Sequence, residues 1–206
     1  MYPVGTYEDF KIKVAIKENK GITSIFGVLF LNYNQQGAKE YIVDFLDIFH
    51  KNSGSYINFY VPGYIKEGNQ YQVNDRKKID VGLDGESYYF SLEEYKKICS
   101  QFKDIYKIKF PFNPMLLICE INGNHEILEE KKLVINLHDD KNSIENASKK
   151  IEQVIQFSKN GVNNTKEMNK KILFQDFKEY FTNGIFEDVD NPWIKVVNNV
   201  YKIAKK

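Results

Sequence analysis

Arginine is all but missing from this 206-residue chain: of 29 basic residues, only Arg76 is one. Readers of nucleic acid normally fork arginines onto guanine and phosphate, so a nucleic-acid partner is disfavoured. Lysine, asparagine and isoleucine are abundant instead, the composition of an A·T-rich genome of bacterial or phage style. An excess of one charge is missing too. The 29 bases face 28 acids for a net charge of +1, so no whole-molecule field draws in nucleic acid or an anionic membrane. Cysteine is scarce: Cys99 and Cys119 are the two present. Secreted domains stapled by disulfides carry more, behind a leader. Met1-Tyr2-Pro3-Val4-Gly5 has neither a basic n-region nor an apolar h-region, and no run approaches the roughly 18 apolar residues of a membrane span. The expectation is a soluble, cytoplasmic protein. There is also no P-loop, G-x-G-x-x-G, H-E-x-x-H, nucleophile elbow or C-x-x-C, so no chemistry with a local signature is written in the chain.

What is present is material for a core: 42 % apolar and 15 % aromatic residues, enough for one domain with an appendage. Phe10, Ile12, Val14 and Ile16 alternate with Lys11, Lys13, Ala15 and Lys17, which predicts a strand with one wet face. Ser24 to Tyr33 is nearly continuous in apolar residues, as a strand buried on both faces would be. Asn34 can cap a helix over 35–51, whose Ala38, Ile42, Phe45, Leu46 and Phe49 recur at helical spacing, and Asn52-Ser53-Gly54 can end it. Tyr56 to Val61 reads as a strand closed by a Pro62-Gly63 turn. Residues 64–86, rich in Gly, Asn and Asp, predict a long irregular loop, of a kind that is usually functional or disordered, with a short strand to follow at 87–90. Ser91 and Glu94 form a capping box for a helix to about Lys103. Past Pro111 and Pro114, Met115 to Ile121 predicts a strand and Asn122-Gly123 a hairpin, returning within 124–138. Asn142 and Glu145 can cap a further helix to about Ser158. After the polar break Gly161-Val162-Asn163-Asn164 come two more helical segments. One carries Ile172, Leu173, Phe174, Phe177, Tyr180 and Phe181. The other opens at Asn191-Pro192 and carries Trp193, Ile194 and Tyr201.

A right-handed crossover makes the first two core strands parallel, and the hairpin makes the last two antiparallel. The order over residues 24–159 is strand, helix, strand, helix, strand, strand, helix. This order, together with Pro114, resembles the thioredoxin-like fold. The expected architecture is an α/β domain with a βαβαββα core, a mixed sheet covered by helices on both faces. An N-terminal strand and a C-terminal helical extension add to it: residues 1–159 form the domain with its long loop, and 160–206 the extension. The resemblance implies a proline in the place of Pro114, often cis, facing a redox site where the first core strand meets its helix. Here that segment is Asn32-Tyr33-Asn34-Gln35-Gln36-Gly37, with no cysteine or serine. Cys99 falls on the apolar face of a helix and Cys119 in a buried strand, both in the role of small core hydrophobes. The scaffold implied is redox-inactive, with no cofactor.

Other residues suggest chemistry more faintly. His50, Ser53 and Tyr64 could line a pocket at a strand end, although a histidine at a helix C-terminus is served by the dipole alone. His138-Asp139-Asp140, with His125 across the hairpin, has metal-ligand types, but adjacent strand residues point to opposite faces. Asp80, Asp84 and Glu86 lack the spacing of a calcium loop. Arg76-Lys77-Lys78 is a basic cluster suited to phosphate or an acidic partner. The aromatic residues of the C-terminal segment need burial, against the domain itself or against a partner. The leading expectation is a non-catalytic accessory or protein-interaction subunit, in a bacterial multi-protein system such as phage defence. Its partner would be another protein or its own copy, met through Asn34, Tyr64, Tyr71, Arg76, Lys77, Lys78, Pro114, Phe177, Phe181, Trp193 and Tyr201. The competing expectation is an enzyme or small-ligand sensor with a dispersed site around His50, Tyr64, Arg76 and His138. No metal or membrane enters either expectation.

Overall fold

In the computed structural model the described residues are 1–18, 24–68, 75–79, 86–108, 114–124, 126–138 and 144–182. The chain forms two compact units, Met1–Asn169 and Lys170–Lys206. The first is a mixed α/β unit with a mixed sheet.

The first element is a short strand, β1, Tyr2–Val4. The segment expected as a strand is instead a helix, α1, Tyr7–Lys17. Thr6 caps it by accepting a bond from the Asp9 amide at 3.1 Å, and Glu8 and Asp9 suit the positive end of its dipole. Its core positions are Phe10 and Val14, one helical turn apart, while Ile12 and Ile16 stand 58 % and 65 % exposed. Every second residue being apolar therefore reflected two opposite helical stripes, one of them wet.

The principal sheet has the order β1-β3-β2-β7-β8, where β2 is Ser24–Phe30, β3 Asn58–Pro62, β7 Met115–Ile121 and β8 Ile127–Asn136. β3 runs parallel to both β1 and β2, whereas β7 is antiparallel to β2 and to β8. The expected parallel first pair and antiparallel last pair are both present. One face of the sheet offers Phe26, Val28, Phe30, Tyr60, Met115, Leu117, Cys119 and Ile121 to Phe10 and Val14 of α1 and to Ile98, Phe102 and Tyr106 of α4, Leu92–Tyr106. The opposite face is buried as well, through Ile25, Leu29, Phe59, Val61, Leu116 and Ile118. That double burial is why β2 and β7 read as continuous apolar runs. At Gly27, a Cβ would stand 2.5 Å from the Phe59 ring, so the centre of β2 has no room for a side chain.

The helix expected over 35–51 is broken into α2, Ala38–Tyr41, a 3₁₀ turn Val43–Phe45, and α3, Leu46–Ser53. Asn34 does not cap it; Gly37, at φ +75°, precedes α2 without a side-chain cap. Gly54, at φ +50°, ends α3. A 3₁₀ turn Ile144–Asn146 leads into α5, Ala147–Lys159, which packs on α3, and α6 spans Thr165–Thr182. Asn142 and the helix expected from Asn191 lie outside the described residues.

The long loop holds more order than its composition suggests. β4, Tyr64–Lys66, and β5, Arg76–Ile79, flank β6, Tyr88–Ser91, in a second, three-stranded antiparallel sheet. The Ser91 capping box holds: its hydroxyl accepts from the Glu94 amide at 3.1 Å. Among the described residues no helix is long and apolar enough to cross a membrane.

Candidate functional site at the strand ends

Strand register collects several candidate residues along one edge of the principal sheet. Phe30 pairs with Met115 and Met115 with Asn136, while β2 and β3 advance together toward Pro62. Gly63 and Tyr64 past β3, the Asn32–Gln35 turn past β2, Pro114 before β7 and His138 beyond β8 therefore lie along the same edge. Three strand spacings separate the first from the last, roughly 14 Å. This is the edge at the carboxyl ends of the parallel strands, where open α/β sheets commonly bind their ligands.

The Asn32–Gln35 turn is self-braced: Asn32 Oδ1 accepts from the Asn34 amide at 3.0 Å, and the Gln35 amide donates to the Asn32 carbonyl at 2.9 Å. It presents Tyr33 and exposed Asn34. β5 reaches across from the second sheet. Lys77 Nζ sits 4.7 Å from the Tyr33 ring centroid and donates to Asn34 Oδ1 at 3.3 Å. Behind it lies an aromatic block. Lys77, Phe90 and Tyr64 are cross-strand partners, and Phe90 touches the rings of Tyr33 at 6.2 Å, Tyr64 at 5.2 Å and Tyr95 at 5.8 Å. Gly63, at φ +80°, allows this packing, since a Cβ there would stand 2.7 Å from Tyr95 Cβ.

Tyr64 is 2 % exposed, and its Oη has no hydrogen-bond partner among the described residues. Burial pushes its phenol well above the usual value, with Tyr95 and Tyr33 adding to the effect. Asp75, which the sequence reading did not single out, pins β5 to α4. It accepts from Ser91 Oγ at 2.5 Å and from the Glu93 amide at 2.9 Å. Desolvation raises its pKa, but these bonds and the nearby backbone amides outweigh that and hold the carboxyl below the usual carboxylate range. No short-range pattern announces Asp75, because its partner lies sixteen residues away, in another element.

The basic cluster is split by strand alternation. Lys77 turns to the Tyr33 side, while Arg76 lies 6.0 Å from the Tyr89 ring on the other face, beside Lys78. Tyr89 Oη in turn donates to Glu67 Oε1 at 2.8 Å. All three basic residues are exposed. Pro114 is buried and its carbonyl accepts from the Leu137 amide at 3.0 Å; its bond to Asn113 reaches outside the described residues.

His50 is elsewhere. It contacts the amino group of Met1, and Met1 precedes Tyr2, the partner of Tyr60. Ser53 Oγ donates to the His50 carbonyl at 2.9 Å. Tyr71, Trp193, Tyr201, His125, Asp80, Asp84, Asp139 and Asp140 lie outside the described residues, as do the side chains of Phe177 and Phe181 on α6. Among the described residues no three His, Cys, Asp or Glu side chains are grouped to hold a metal ion.

Cys99 is half-buried on α4 beside Tyr95, and Cys119 is fully buried. Burial pushes Cys99 up to about 12, against a hydrogen bond with Tyr95 that works the other way, and Cys119, fully buried in β7, is raised by burial too. Compared with known proteins, the chain matches no family model, no curated protein and no solved structure.

Proposed function

We propose that this chain is a non-catalytic, protein-binding accessory subunit on a thioredoxin-like scaffold from which thiol chemistry is absent. The strand order and directions of the principal sheet support the scaffold. The observation that carries the functional reading is the Asn32–Gln35 turn. Where the resemblance would put a reactive cysteine pair, it offers an aromatic ring, an amide and the Lys77 ammonium above them. An aromatic block faced with exposed lysine and asparagine suits recognition of a polar or acidic protein segment. It supplies no nucleophile and no poised base.

Affinity purification from the native source tests this reading. Wild type and Asn34→Ala/Lys77→Glu would be compared by quantitative mass spectrometry. A partner held in near-equal proportion by wild type and lost from the variant is expected. Recovery of the same proteins by both, or reduction of a chromogenic disulfide by the native protein, would refute it. A second reading, a small-ligand sensor, draws on one observation, the buried Tyr64 hydroxyl without a partner. A ligand accepting that bond would raise the melting temperature of wild type and leave Tyr64→Phe unmoved.

A further inference from the structure

We infer that the outer edge of the principal sheet is a self-complementary surface through which two copies of this chain meet about a twofold axis. Among the described residues β8 pairs with β7 alone, so its other side is an open sheet edge ten residues long. Its sequence there is Ile127-Leu128-Glu129-Glu130-Lys131-Lys132-Leu133-Val134. Set antiparallel to itself about a point between Glu130 and Lys131, each position meets its complement. Glu130 faces Lys131 of the second copy, Glu129 faces Lys132, Leu128 faces Leu133, and Ile127 faces Val134. Because the contact is isologous, every pair occurs twice.

This register is the favourable one. Sliding the second copy one residue either way sets Glu130 against Glu130 or Lys131 against Lys131, and opposite like charges oppose strand pairing. The ladder also bulges here. Cys119 pairs with Lys132 and Glu120 with Leu128, so Glu129, Glu130 and Lys131 are thrown out of the β7 ladder toward solvent, and all three are exposed. The contact is accordingly made by side chains at the bulge, flanked by apolar pairs. Val134 already stands 39 % exposed. Charge and bulges also serve to keep sheet edges apart. That purpose is met by charge in any order; it does not call for two acids followed by two bases, centred between apolar residues. The local bonds leave the lysines available. Lys131, 59 % exposed, approaches Glu120 only to 3.6 Å, and Lys132 Nζ reaches the Glu129 carbonyl at 3.3 Å. The surface is separate from the strand-end site and does not depend on its reading.

Light scattering coupled to size-exclusion chromatography of the full chain tests the inference. Wild type is expected to gain mass toward a dimer as concentration rises at low ionic strength, and to lose it with added salt. Glu129→Lys/Glu130→Lys and Lys131→Glu/Lys132→Glu are each expected to be monomeric alone and to form a heterodimer when mixed. The fourfold exchange, carrying all four substitutions, restores the complement and should dimerise again; it also serves as the folding control. A wild type that stays monomeric at every concentration overturns the inference. So do variants that associate as wild type does, or a fourfold exchange that folds and remains monomeric while wild type dimerises.

Discussion

Replacing Tyr64 by phenylalanine removes one oxygen and leaves the ring that packs 5.2 Å from Phe90. In the folded chain that oxygen is buried without a partner among the described residues; unfolded, it is hydrated. A buried polar group left unsatisfied costs about 1–3 kcal/mol. The void left by the oxygen, on the order of 10 Å³, costs about 0.2 kcal/mol at the usual cavity coefficient. The balance favours the variant by about 1 kcal/mol or more. Urea denaturation followed by circular dichroism measures it directly. With a slope of about 2 kcal/mol per molar, the midpoint should rise by roughly 0.5 M with the slope unchanged. A midpoint lowered by the same amount would refute the reasoning, because it would mean that the hydroxyl is bonded, through an ordered water or another group, and that the aromatic block is held together by it.

Gly27→Ala should destabilise by about 1–3 kcal/mol, since its Cβ would meet the Phe59 ring at 2.5 Å and Phe59 is itself fully buried; thermal melting reads it. Glu120→Ala should cost about 1.5–3 kcal/mol by releasing the Thr165 amide and hydroxyl, both 2.7 Å from Glu120 Oε1, and hydrogen exchange should rise first over residues 165–168. Alkaline pH should destabilise the fold. Tyr60, Tyr64, Tyr95 and Tyr106 all have raised phenol pKa values, chiefly through burial. Above about pH 10 the unfolded phenols lose protons that the folded ones keep, so the unfolded state binds fewer protons and stability falls with rising pH. Chemical denaturation at stepped pH checks the sign; a stability that is flat between neutrality and the onset of alkaline unfolding, followed by ionisation of these tyrosines within the native state, would contradict it.

The core strands were legible because burial on both faces writes a run too dense for a loop. Ser24–Phe30 and Met115–Ile121 are such runs, and the structure keeps them as β2 and β7. The Ser91 capping box was legible because its donor and acceptor lie three residues apart. Failures occurred where local pattern underdetermines the state. The alternation of Phe10, Ile12, Val14 and Ile16 fits a half-wet strand and also fits a helix with Phe10 and Val14 inward, and the Thr6 cap decides between them. Residues 64–86 carry turn-forming composition, yet Tyr64–Lys66 and Arg76–Ile79 become strands because each finds β6 as a partner. That information lies in Tyr88–Ser91 and not in the segment itself.

The strand-end site shows the same division at the level of chemistry. Asn34, Tyr64 and Lys77 could each be named from residue type, but not the route by which they meet: Lys77 onto Tyr33, Phe90 between Tyr33 and Tyr64, Asp75 fastening β5 to the start of α4. The contacts of Lys77 and Phe90 with Tyr33 leave the second sheet for the turn past β2, and Asp75 bonds Ser91 sixteen residues on, so no sequence spacing announces them. The expectation of a chain without thiol chemistry required less. A thiol acts as its thiolate, and the thiolate needs water or a cation beside it. Burial raises the thiol pKa of half-buried Cys99 on α4 and of fully buried Cys119 in β7, and that burial follows from the same apolar periodicity that builds the core. On the proposed reading a partner at this edge is recognised by ring faces and the Lys77 charge, which makes the identity of residue 77 a sharper probe of that reading than either cysteine.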